Sequence, residues 1–214
     1  MSTTPAKRKP GRPPVPRQTI IDTALRLVDE RGADALTLRA LAVELSSSTA
    51  TLYRHVHNRA ELVGLVVDRM LADVELPSLQ VDDRDSWDEV CHRTATAIFV
   101  TMAEHRKVAP LLIERFPDGP NAILLRERMA RALLRAGFSA EVAAKSVAML
   151  GRYILGFSMQ ADADNENGHD QPVRDAVSTP HLARVAAYLP QPLIAEFDFG
   201  LSLMLQGLRN VEVG

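Results

Sequence analysis

Apolar residues recur at helical spacing along nearly the whole chain, and each recurrence is bounded by residues that start or stop helices. The first run sets Ile20, Ile21, Ala24, Leu25 and Val28 on one face of a helix from Arg17 to Arg31, with Gly32 as its terminator. Thr37 is placed to cap a second, short helix whose Leu38, Leu41, Ala42 and Leu45 share a face. Ser46, Ser47 and Ser48 then compete with helical hydrogen bonding, so the chain turns, and Ser48 caps a third helix carrying Leu52 and Val56. Asn58 followed by Glu61 is a capping-box pattern; it opens a fourth helix whose Leu62, Leu65, Val66, Met70 and Leu71 are apolar, and which stops by Pro77.

From Asp85 onward the pattern predicts more helices with short connections and no convincing strand. Trp87, Val90, Cys91, Thr94, Ala97, Ile98 and Thr101 mark a fifth helix, and Val108 to about Glu114 a short sixth. A seventh takes in Ile123, Leu124, Met129, Leu133 and Leu134 and stops at Gly137, and an eighth runs from Ser139 to roughly Gln160. Residues 161–176 have no apolar face and read as a flexible loop. A ninth helix starts near Pro180, and a tenth, Leu193 to Leu208, puts Phe197, Leu201, Leu205 and Leu208 on one stripe. The predicted fold class is all-α. It divides into a basic arm (1–16), a helix-turn-helix head with its linking helix (17–76) and a helical C-terminal body (77–214).

The second and third helices are short, joined by a tight polar turn, and crossed so that the third stands proud. Its outward side carries Thr49, Ala50, Thr51, Tyr53, Arg54 and His55, which suit base edges and phosphates in a major groove. Two amphipathic helices of an ordinary bundle would show the same apolar spacing. They would not place hydroxyls, a phenol, a guanidinium and an imidazole within one short window.

The segment Thr51, Leu52, Tyr53, Arg54, His55, Val56, followed by Asn58 and Arg59, resembles the motif of the tetracycline-repressor family of bacterial transcriptional regulators. The family has glycine after the leucine that closes the first helix of the motif. This chain has Ser46, which either avoids positive φ or bears modest strain. The resemblance implies Arg39, Thr49, Ala50 and Thr51 nearest the bases, and Thr37, Tyr53, His55 and Arg59 nearer the phosphates, with Ser48 and Arg54 beside them. It also implies pairing of two copies through the eighth and tenth helices, hence a homodimer on a palindromic double-stranded operator. The stripe on the tenth helix could serve that pairing or face its own core.

Charge sharpens this picture once it is divided. Residues 1–59 carry a net +5 and residues 60–214 a net −7, against a total of −2. A basic head gains affinity by displacing counterions from DNA, and an acidic body is repelled. The arm Lys7, Arg8, Lys9, Pro10, Gly11, Arg12, Pro13, Pro14 cannot be helical, and its Arg12 resembles the minor-groove arginine of an AT-hook. No apolar run has the length of a membrane span and the first residues lack an apolar leader, so a cytoplasmic protein with no membrane partner is expected. The single Cys91 allows no intramolecular disulfide and is expected to be a small buried residue.

Ser86-Trp87, His105-Arg106, Gly137-Phe138-Ser139 and Leu155-Gly156 resemble the sensing domain of the family's drug-responsive members. Transfer residue by residue puts Thr94 for an asparagine, Ile98 for a phenylalanine, Leu112 for the metal-binding histidine, Met129 for a glutamine and Gln160 for a glutamate. A magnesium-bound drug is therefore not expected, and neither metal nor cofactor is assigned. The expected site is an apolar cavity for a small apolar or weakly polar effector. Met102, Met129, Met149 and Phe157 would line it, with Thr94, Thr101, His105, Arg152, Tyr153 or Gln160 as orienting groups. The competing reading, favoured position by position, is that the methionines and Phe157 are ordinary core.

Enzymatic signals are missing: there is no phosphate loop, metal-protease pair or nucleophile elbow. Asp162, Asp164 and Glu166 begin like a calcium loop, but Gly168 sits one place late and Val173 stands where the bidentate glutamate belongs. His92, His105, His169 and His181 have no metal-site spacing. The sequence predicts a DNA-binding regulator, expected to be a repressor released by a small organic effector. The alternative is a regulator controlled by a protein partner, or constitutive, with a filled body; a ligand-sized cavity favours the first and a solid body the second.

Overall fold

The computed structural model describes residues 15–76, 85–161, 180–189 and 191–211, and those residues form α-helices, short 3-10 turns and loops. The head holds α1 (Arg17–Arg31), α2 (Leu38–Glu44), α3 (Thr49–Leu52) and α4 (Arg59–Leu71). The body holds α5 (Trp87–Glu104), α6 (Leu111–Glu114), α7 (Pro120–Arg135), α8 (Ala140–Ser158), α9 (Pro180–Val185) and α10 (Leu193–Leu208). Arg12 and the expected loop at 162–176 lie outside the described residues.

Local chemistry sets the head. Thr37 accepts from the amide of Ala40, Ser48 from that of Thr51, and Asn58 from that of Glu61, so each of three successive helices starts on a side-chain cap. Glu61 reaches back to the amide of His57, one residue ahead of the cap, rather than to the cap itself. Its carboxyl is held below the usual range by that backbone bond and by the His57 side chain. Gly32 closes α1 at φ 87°, its amide bonded to the carbonyl of Val28. Ile20, Leu36, Leu41, Leu52, Val56 and Leu62 are completely buried and form one core. Glu44 of α2 pairs with Arg31 (2.5 Å) and Arg26 (3.3 Å) of α1, bracing the motif from behind.

The turn between α2 and α3 does use the left-handed region: Ser46 sits at φ 46°. The serine therefore bears the strain that a glycine would not.

In the body, α7 buries a different face from the run expected for it, whereas α10 buries the expected stripe and turns it to the protomer's own core. In α7, Ile123, Leu124 and Leu134 are exposed, while Ala122, Leu125, Met129, Ala132 and Leu133 are buried. Adjacent leucine pairs make two phases possible, and packing of α7 against α5, α8 and α4 selects one. In α10, Phe197, Leu201 and Leu205 face the protomer's own core, leaving Phe199 and Leu203 exposed. The Phe197 ring stacks on Phe99 of α5 with centroids 4.2 Å apart, which settles the rotation.

Candidate functional site

The side chains expected to face DNA stand together on the outside of the motif. Arg39, Ser48, Thr49, Ala50, Tyr53 and Arg54 are exposed, and Thr51 and His55 are half-buried. Tyr53 keeps 54% of its surface open although it follows the fully buried Leu52, which is the geometry of a side chain held out on a fixed base. Thr37 and Ser48 already engage an oxygen in capping, and Ser48 shares a further hydrogen bond of 3.0 Å with Thr51. Their hydroxyls can still meet a phosphate, but from fixed positions. Arg59 departs from its expected place: it bonds the carbonyl of Leu36 and pairs with Glu114 of α6 at 2.9 Å, so it faces the body.

The body contains a cavity of about 500 Å³ bounded by α5, α7, α8 and the α6–α7 connection. Of the twelve residues expected at the ligand site the structure gathers four there: Ile98, Met102, Leu112 and Met129. The small residues Ala144, Ala148 and Gly151 of α8 leave the space that these four border. A Cβ on Gly151 would meet nothing within 4 Å.

The other eight lie elsewhere. Thr94 is buried and accepts a 3.1 Å bond from Arg128, itself buried, whose charge is disfavoured first by desolvation. Thr101 is buried within the helix packing, and Arg152 and Gln160 are exposed and bond to carbonyls of their own helix. Tyr153 donates to the carbonyl of Phe197 at 2.8 Å and joins Phe157 in an aromatic cluster against α10, on the side of α8 away from the cavity. Met149 is exposed. His105 lies at the junction of head and body, its Nδ1 2.9 Å from Asp29 of α1 and its Nε2 3.7 Å from Asp73.

Residues that pattern alone did not single out complete the site. Asp68 of α4 accepts from the amides of Asn121 (3.0 Å) and Ala122 (3.2 Å) and from the Asn121 side chain, so the head caps the first turn of α7. Gly119 lies so close that a Cβ would stand 2.3 Å from the Asp68 carboxylate. Arg115 adds a bond to the carbonyl of Ala60 at 3.4 Å, and Lys107 one to that of Glu30 at 2.9 Å. The signal for Asp68 was a carboxylate inside the apolar run of α4; its partner could not be read from spacing. At the cavity wall the charged residues are Arg126 and Glu127, and Arg126 lies 4.4 Å from the ring centroid of Phe116.

Among the described residues no group of acidic, histidine and cysteine side chains could hold a metal ion, and no helix is long and apolar enough to cross a membrane. Cys91 is buried, and burial pushes its thiol up to about 12.

Comparison with known proteins agrees with this geometry. A model described as bacterial regulatory proteins of the tetR family matches residues 20–66, and one described as a tetracyclin repressor-like C-terminal domain matches residues 80–211. The chain is 32% identical over 192 residues to the class E tetracycline repressor protein of Escherichia coli, covering 88% of each. It is similar to the solved structure of apo ActR from Streptomyces coelicolor, with TM-score 0.79 and 32% identity over 92% of this chain and 97% of that one. The structure of ActR in complex with actinorhodin gives TM-score 0.79 and 30% identity, covering 92% and 98%.

Proposed function

The chain belongs to the tetracycline-repressor family of bacterial transcriptional regulators, and we propose that it is a repressor which a small organic effector, bound in the body cavity, releases from a palindromic operator. It is a DNA-binding regulator and not an enzyme. The observation that carries the release mechanism is the sharing of α7. Ala122 both lines the cavity and gives its amide to Asp68 of α4, so a ligand that displaces α7 moves the helix that leads to the reading head. The cavity supports this reading over a partner-controlled regulator with a filled body. The actinorhodin complex of the similar ActR supports an organic effector.

The regulator works as a homodimer, with Phe199 and Leu203 of α10 and Met149 of α8 as the exposed apolar residues available for pairing. Two recognition helices then meet successive major grooves about 34 to 36 Å apart, where a shift of a few ångströms costs most specific contacts. Arg39, Thr49, Ala50 and Thr51 read bases. Thr37, Tyr53, Arg54 and His55 position the protein on phosphates, and the basic arm with Arg12 adds attraction.

Two linked titrations test release. The operator is first selected from random duplexes with the purified protein, and compounds that raise the melting temperature are then titrated with and without it. Such compounds should weaken operator binding, and the operator should weaken theirs by the same factor. Compounds that occupy the cavity and leave operator affinity unchanged would overturn the mechanism.

A further inference from the structure

Arg126 is a cation set into an apolar wall. Its side chain is half-buried, one Nη donates to the carbonyl of Pro117, and its guanidinium carbon lies over the Phe116 ring. Among the described residues no carboxylate is within ion-pair distance of it. Glu127, the other charged wall residue, pairs with Arg131 at 3.4 Å, and Asp118, whose charge reaches Arg126 through space, is held by Arg115 at 2.8 Å. Desolvation is the main influence on this guanidinium and disfavours its charge.

A guanidinium that has lost water and gained no counter-ion attracts an anion more strongly than an exposed one does, because the low-dielectric wall screens it less. Its planar fork has five N–H donors, one of them engaged with Pro117, so four remain, enough for a bidentate acceptor. Phe116 beside it offers a face on which an aromatic ring can stack. Past Arg126 the cavity runs along Met129, Ile154 and Gly151, which take apolar surface.

We propose that Arg126 is an anion-recognising residue and that the effector is a flat aromatic monoanion, its charged group on Arg126 and its rings in the apolar part of the cavity. This replaces the expectation of an uncharged effector and rests on the cavity being the effector site.

The test uses full-length protein and two fluorescent probes with the same rings, 8-anilinonaphthalene-1-sulfonate and the neutral N-phenyl-1-naphthylamine. The sulfonate should bind about tenfold or more tightly than the neutral dye, the scale of one charge-assisted contact. Arg126→Met should abolish that preference while leaving the neutral dye's affinity unchanged. Should it lose the neutral dye as well, Arg126→Gln, which keeps a donor for Pro117 without the charge, makes the same comparison. Gly151→Leu, which fills the cavity, should exclude both dyes. A sulfonate that binds no better than the neutral dye, or equally well to wild type and both Arg126 variants, overturns the anion inference and leaves the cavity reading standing. Failure of both dyes to bind, or unchanged binding of both to Gly151→Leu, overturns the cavity reading itself.

Discussion

In the head, the side chains suited to DNA stand outside a core in which Leu36, Leu41, Leu52 and Val56 are fully buried; in the body, the side chains suited to a ligand stand around a space that the core does not fill. The head's geometry is fixed by neighbours three or four residues away, through the caps at Thr37, Ser48 and Asn58. The body's geometry is fixed by rings and helices far apart in sequence, such as Phe99 on Phe197. A reading surface needs rigidity set locally. A sensing space needs walls that can move together.

The largest expected effect tests which face of α10 belongs to the core. Leu201→Glu puts a charge at a completely buried position and should cost about 4 kcal/mol or more, enough to abolish the helical signal of the body at ordinary temperature. Phe199→Glu with Leu203→Glu, both on the exposed face, should keep the circular dichroism spectrum and sediment as a monomer. A folded monomer from Leu201→Glu would mean that the helix is rotated.

Within the head, base readers and phosphate holders should separate. Arg39→Ala should lose about 1 to 3 kcal/mol on the selected operator and relax preference at one position per half-site. Tyr53→Phe should weaken operator and random duplexes alike. Equal losses on both DNAs for both variants, measured by fluorescence anisotropy, would erase the division.

The joint between the regions comes next. Asp68→Ala removes the acceptor for the first turn of α7 and should cost about 1 to 2 kcal/mol, the value of a lost helix cap, seen as a lower calorimetric melting temperature. An unchanged melting temperature would show that α4 and α7 are held by their apolar contacts alone.

Smaller still is Ser46→Gly. It removes a strained positive φ and should stabilise the protein by about 0.5 to 1 kcal/mol, after the larger chain entropy of glycine is set against the relief. A lower melting temperature would mean that the serine's own bonds outweigh its strain. Last, Cys91, with its thiol raised to about 12, stays protonated at pH 8 and should resist iodoacetamide until the protein is denatured, as mass spectrometry would show.

These contrasts explain what could be read from the chain. Arg17–Arg31 has the predicted bounds, and the capping residues of α2, α3 and α4 were legible because a cap and its amide are three residues apart. The residues that the family resemblance and helical spacing assign to DNA are exposed or half-buried on the motif, whereas Glu114 draws Arg59 toward the body across 55 positions of sequence. In the body, periodicity identified the helices and the buried stripe of α10, but not the rotation of α7. Leu124 beside Leu125 and Leu133 beside Leu134 satisfy two faces, and only α5 and α8 decide between them. Tyr153 and His105 were chosen as polar groups that could orient a ligand, whereas each has a partner on a distant element, the Phe197 carbonyl and Asp29. Arg126 was passed over because a basic residue on an amphipathic helix usually lies in water.

Gly151 gives the body one more property. It lies in the middle of α8, where alanine would be favoured by about 1 kcal/mol, and a Cβ there would meet nothing within 4 Å. Alanine at this position should therefore narrow the cavity and harden the protein against heat in one change. Alanine, valine and leucine form a graded series of plugs at a position where the backbone need not shift. The glycine thus keeps the cavity wide at the cost of a softer helix.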